Sequence, residues 1–97
     1  MLNSTLHLIY HFDTNTKPFL EAHCQLDDAV ILIQDGVLGL FNDELMDWFK
    51  RKEKPIYVLQ EDLACFGFPQ TQYCRTINLQ TMAEMIFQYS HTLTWQS

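Results

Sequence analysis

Carboxylates stand directly after two apolar runs of this chain. Ala29-Val30-Ile31-Leu32-Ile33 is followed by Gln34-Asp35-Gly36, and Ile56-Tyr57-Val58-Leu59 by Gln60-Glu61-Asp62. If both runs are strands of one sheet, Asp35, Glu61 and Asp62 meet beyond their carboxyl ends, where open α/β sheets place their sites. Such a set could hold a divalent cation, as the metal pocket of a receiver domain does. That pocket also needs a lysine after a later strand, and Lys17 and the group Lys50 to Lys54 come too early. The spacing favours a plainer role, the capping of helix amides, above all for Asp35. Gly36 is expected to take a backbone conformation that other residues resist.

Thiol chemistry needs a thiolate, which a nearby cation or a helix N-terminus favours. The chain has three cysteines, Cys24, Cys65 and Cys74. Cys74 precedes Arg75 and has the best electrostatic setting. Cys24 lies beside His23 and close to Asp27 and Asp28, whose charge raises a thiol pKa. Cys65 falls late in a short helix. Free cysteines most often serve as small buried apolar residues, so Cys24 and Cys74 are only weak catalytic candidates. Their odd number and the lack of CxxC spacing fit reduced thiols in a cytoplasmic protein. His7, His11, His23 and His91 could join them around zinc, but no paired spacing supports this. GxGxxG, GxxxxGK and GxSxG are all missing, and three glycines leave little room for a phosphate-cradling loop. No metal or other cofactor is expected.

The elements that position these residues read as an α/β alternation. The run Ala29–Ile33 lacks polar alternation, so it reads as a parallel strand covered on both faces. Thr5–Tyr10 and Ile56–Leu59 are further strands, Arg75–Asn78 a short one ending in an N-cap at Asn78, and Leu93–Trp95 a last strand or a docking tail. Pro18 suits the first turn of a helix that reaches Cys24. Val37–Phe41 is open between a helical turn and a loop, since Gly39 weakens a helix. Asn42 is a plausible N-cap, and Leu45, Met46, Trp48 and Phe49 form one apolar face behind it. Leu63–Phe66 reads as a short helix ended by Gly67 and kept from continuing by Pro69. Leu79, Met82, Ala83, Ile86 and Tyr89 form an amphipathic stripe. The expected architecture is a three-layer α/β sandwich with a mostly parallel sheet of about five short strands, in one domain over residues 1–97.

Twelve acidic against six basic residues give a net charge of −6, which argues against direct binding to nucleic acid. Four of the six cations, Lys50, Arg51, Lys52 and Lys54, crowd into five positions. They read as a solvated helix end, or as a docking patch for an acidic partner. The start of the chain lacks a basic segment followed by a long apolar run, so no signal peptide is expected, and no stretch is long enough to span a bilayer. A chain this short often gains stability by association. Trp48, Phe41, Phe66 and Trp95 belong to a 13% aromatic content that exceeds what one small core readily covers, so exposed apolar patches and partners, or self-association, are expected.

Thr5-Leu6-His7, Leu32-Ile33-Gln34-Asp35-Gly36-Val37, Tyr57-Val58-Leu59-Gln60-Glu61-Asp62-Leu63 with Gly67, and Trp95 together resemble the DsrH/TusB family, in its order and over nearly the whole chain. The resemblance implies a DsrE-like, flavodoxin-like fold and an accessory, non-catalytic subunit of a cytoplasmic sulfur-relay complex serving 2-thiouridine formation at the tRNA wobble position. The implied partners are TusC-like and TusD-like subunits, with persulfide carriers upstream (TusA) and downstream (TusE). The relay's sulfur-carrying cysteine belongs to the TusD subunit, at the end of the strand matching Ile56–Leu59, where this chain has Leu59-Gln60. Some family members carry a cysteine in the first helix region, near Cys24. The family commonly has Ala-Arg-Gly where this chain has Ala64-Cys65-Phe66-Gly67. Asp35, Gly36, Glu61, Asp62 and Trp95 are then candidate motif and interface residues. The alternatives are a persulfide-carrying sulfurtransferase using Cys24 or Cys74, and a self-associating module that binds a small ligand.

Overall fold

The computed structural model describes residues 4–67 and 74–95. Five strands form one sheet: β1 (Thr5–Ile9), β2 (Ala29–Leu32), β3 (Ile56–Leu59), β4 (Cys74–Ile77) and β5 (His91–Trp95). Their order is β4-β3-β2-β1-β5, and every neighbouring pair is parallel. The apolar run is thus the middle strand. Val30 and Leu32 enter one core cluster, Ala29, Ile31 and Ile33 the other, and all five are buried. That two-sided burial is why the run shows no polar alternation.

Among the described residues four α-helices connect the strands: α1 (Thr16–His23), α2 (Asp43–Arg51), α3 (Gln60–Cys65) and α4 (Leu79–Gln88). Each step from β1 to β4 moves to the next strand on the same side. Right-handed crossovers then put α1, α2 and α3 on one face, and the return from β4 to β5 puts α4 on the other. The core agrees. Leu20, Leu45, Phe49 and Leu63 pack with Ile9, Val30 and Val58, while Met85, Met82 and Ile86 pack with Leu6, Leu8 and Ile31. The sandwich has three layers, and among the described residues its second helical layer is α4 alone.

Local chemistry explains the boundaries. Asn42 caps α2 by accepting from Leu45 N–H at 2.8 Å, and Asn78 caps α4 by accepting from Thr81 N–H at 2.8 Å. Lys50 and Arg51 close the last turn of α2, where cations oppose the dipole. Gly67, at φ 70, takes the left-handed conformation just past α3. Pro69 lies outside the described residues.

Several expectations change. Val37–Phe41 belongs to a 3-10 helix, Gln34–Phe41, starting directly after β2. The third helix begins at Gln60, so Glu61 and Asp62 are its first turn rather than a loop before it. The expected α4 stripe is only partly a core stripe: Met82, Ile86 and Tyr89 are partly buried, Leu79 and Ala83 are exposed, and the helix's buried residue is Met85, outside the stripe, while Phe87 is 89% exposed. One helix over five strands cannot bury a full stripe. Among the aromatics thought to be in excess, Trp48 is buried, Phe66 and Trp95 are partly buried, and Phe41 is exposed.

Candidate functional site

At the carboxyl edge of the sheet the three acidic candidates do not converge on a cation. Asp62 Oδ2 accepts a hydrogen bond from Gln34 N–H at 2.8 Å, which ties α3 to the end of β2. Asp35 and Glu61 are exposed. The N-cap residue of the 3-10 helix, Ile33, has no capping side chain, and the amide-binding role expected of Asp35 falls to Asp62. The left-handed residue of this turn is Gln34, at φ 52, and not Gly36. Gly36 is required for a different reason: a Cβ there would overlap the carbonyl of Ile9, the same carbonyl that accepts from Ile33 N–H at 2.9 Å. The glycine lets the turn lie against the end of β1.

The denser polar construction lies at the opposite, amino end of the sheet, beneath α1 and α2. Asp28, just before β2, is buried. Its Oδ1 accepts from Thr5 N–H at 2.8 Å, and its Oδ2 accepts from Gln25 N–H at 2.9 Å and lies 2.9 Å from His7 Nε2. Burial alone would raise the Asp28 carboxyl, but hydrogen bonds from Gln25, His7 and Thr5 outweigh it and hold the carboxyl below its ordinary value. On the other side of the imidazole, Trp95 Nε1–H donates to His7 Nδ1 at 3.2 Å. Trp95 also meets Phe19 edge-on, which joins β5 to α1.

Lys54 completes this end. It is buried although lysine rarely is, and its ammonium donates to the carbonyls of Gln25, Leu26 and Asp28 at 2.8, 3.2 and 2.6 Å. The loop between α1 and β2 is thus wrapped around a cation. Cys24 opens that loop, half-buried. Burial pushes its thiol up to about 11; the Lys54 charge and hydrogen bond pull it down, and Asp28 adds to the rise. The thiol is therefore protonated at neutral pH. Cys24 also lines a cavity of about 540 Å³ with Leu26, Trp48, Arg51, Lys52 and Lys54.

The other thiols stand apart. Cys65 ends α3, exposed. Cys74 is buried in the core. Its favourable neighbour is not beside it, because successive strand residues point to opposite faces, and the Arg75 guanidinium lies over the Tyr57 ring at 5.9 Å.

His7, Cys24 and Asp28 bring one ligand atom each within 4.8 Å of one another, a convergence that no sequence spacing announced. These residues do not fit a metal ion. Both imidazole nitrogens and both Asp28 oxygens already hold hydrogen bonds, and the Lys54 ammonium, hydrogen-bonded to Cys24, would repel a second cation. Among the described residues no helix is long and apolar enough to cross a membrane.

Five parallel strands in one sheet between helical layers define a three-layer α/β protein. Over residues 11–92 the sequence matches the family model described as DsrH like protein, and the chain belongs to that family. Comparison with curated proteins gives no match. Among solved structures the fold is similar to that of the ychN protein from E. coli, at 12% identity and a TM-score of 0.71, covering 98% of this chain and 100% of that one. Family membership supports a role related to sulfur relay, and DsrH proteins are typically subunits of complexes.

Proposed function

We propose that this chain is an accessory subunit of a cytoplasmic sulfurtransferase complex, a sulfur relay serving 2-thiolation of the tRNA wobble uridine. It acts as one domain that assembles with TusC-like and TusD-like subunits, between upstream and downstream persulfide carriers, and without touching nucleic acid itself. The observation that carries this reading is the end of β3. Where the sister subunit of the resembled relay bears its reactive cysteine, this DsrH-family chain has buried Leu59 followed by Gln60, the first residue of α3. Exposed Phe41 and Phe87, 62% and 89% accessible, supply the apolar surface that a subunit needs. Asp35, Gly36, Glu61, Asp62 and Trp95 are its motif and interface residues.

The test is a triple Cys→Ser variant in cells lacking the native chain. Restored tRNA 2-thiolation, with two similar small subunits copurifying, supports the accessory role. Lost thiolation with the complex still assembled, regained when one cysteine is returned, overturns it and identifies a carrier.

A second reading, a persulfide carrier using Cys24, is favoured by one feature. The Lys54 ammonium beside the thiol would stabilise a persulfide anion better than apolar surroundings do. Incubation with a persulfide donor and a mass increase of one sulfur on Cys24 would support it. Cys74, by contrast, is buried in the core.

A further inference from the structure

The cavity between the C-terminal ends of α1 and α2 has no part in the subunit role proposed above. Three cations and one carboxylate line it: Arg51, Lys52 and Lys54 against Glu21. This is a cationic recess in a chain of net charge −6. We propose that it binds a small organic anion, seating a carboxylate or similar oxyanion at Arg51 and Lys52 and bringing the rest of the molecule to Cys24.

The wall residues differ in how far they are already engaged. Lys54 is committed to the carbonyls of Gln25, Leu26 and Asp28, so it contributes charge rather than contacts. Arg51 and Lys52 are exposed, and neither makes an ion pair among the described residues. An arginine fork matches a carboxylate in two hydrogen bonds, and a lysine adds a point charge. Cations at the end of α2 also offset its dipole. That accounts for about half a charge at the helix end, whereas the cavity carries an excess of two. Trp48 and Leu26 give the recess an apolar wall and rim. The protonated Cys24 thiol adds no negative charge to it. At about 540 Å³ the volume lies within the usual range for small-molecule sites, roughly 300–1,000 Å³.

Iodoacetate is a probe of this chemistry, being a small carboxylate that alkylates thiols; iodoacetamide is its uncharged counterpart. The whole chain is treated with each, and labelling is followed separately at Cys24 and at exposed Cys65. The rate ratio of iodoacetate to iodoacetamide at Cys24 should fall about tenfold in an Arg51→Gln, Lys52→Gln variant, with the ratio at Cys65 unchanged. Citrate should slow both reagents at Cys24 in the native chain and not in the variant. An equal ratio in the two proteins overturns the proposal. So does a ratio that falls on substitution but is insensitive to citrate, since that reports a surface field without a site. If Cys24 proves too slow to label, the unfolding temperature decides: citrate must raise it in the native chain and leave the variant unmoved, and equal responses overturn the site. None of these readouts depends on tRNA thiolation, so the cavity and the subunit reading can fail separately.

Discussion

His7 Nε2 and Asp28 Oδ2 lie 2.9 Å apart, and the two side chains are 1% and 2% accessible. Trp95 fixes the sense of the bond. An indole N–H only donates, so His7 Nδ1 must accept, and the imidazole proton sits on Nε2, donating to Asp28. The chain Trp95–His7–Asp28 joins β5, β1 and the start of β2 across the covered face of the sheet. Trp95→Phe keeps the aromatic bulk and removes the donor. It should cost about 1 kcal/mol. Asp28→Asn turns an amide NH₂ towards groups that also donate and should cost about 2–3 kcal/mol. Urea unfolding of both variants checks the order.

The same carboxylate sets an acid limit. The Asp28 carboxyl is held below the ordinary value of 3.8 in the fold. A carboxyl depressed in this way contributes stability that is fully present above its unfolded-state pKa and lost as pH falls through the folded one. The native chain should therefore lose stability as pH drops below about 4, and Asp28→Asn should show a flatter loss over the same window. Unfolding midpoints measured from pH 7 to pH 2 give the comparison. A variant whose curve parallels the native one would remove Asp28 as the cause.

Asp35 and Gly36 are neighbours with opposite sensitivities. Gly36→Ala places a methyl group on the carbonyl of Ile9, which is backbone and cannot swing aside. Overpacking of this kind costs about 1–3 kcal/mol. Asp35 is exposed and caps nothing in the 3-10 helix, so Asp35→Asn should change stability by less than about 0.5 kcal/mol. Thermal unfolding of the two variants tests both expectations. Intact stability and assembly with lost thiolation in Asp35→Asn would make the carboxylate functional.

The difference between those neighbours shows what the sequence could carry. The strands were legible because apolar runs of strand length between turn residues leave few alternatives, and Ala29–Ile33 lies where its unbroken pattern requires. The caps Asn42 and Asn78 were legible for the same local reason. What the chain reveals only in three dimensions is convergence. His7, Asp28, Lys54 and Trp95 are separated by 21, 26 and 88 positions in their contacts, and no spacing rule joins residues that meet through sheet order. A weak signal did exist: Lys54 is the member of its basic group farthest beyond the helix, directly before Pro55, where a solvated helix end has no use for it. The carboxyl-edge expectation failed to see this because it followed strand ends and looked away from the amino side.

Lys54 supports the sharpest prediction. Replacing it with methionine keeps much of the stem's bulk and removes the ammonium. The carbonyls of Gln25 and Leu26 belong to exposed residues and can turn to water, whereas the bond to Asp28 is buried. The cost should therefore resemble one unsatisfied buried carbonyl, about 1–3 kcal/mol, rather than three. The effect on Cys24 separates a structural lysine from one that also tunes the thiol. Lys54 pulls the Cys24 pKa down against burial, leaving it at about 11. Without the ammonium the pKa should move higher still, and fewer thiolates should exist at any pH below it. Labelling of Cys24 by uncharged iodoacetamide at pH 9 should then slow severalfold in Lys54→Met, about tenfold for each further unit of pKa, while Cys65 in the same sample keeps its native rate. If the loop merely loosens, Cys24 becomes more accessible and labels faster, so the direction of the change, read against Cys65, decides between a charge acting on the thiol and a clamp acting on the backbone.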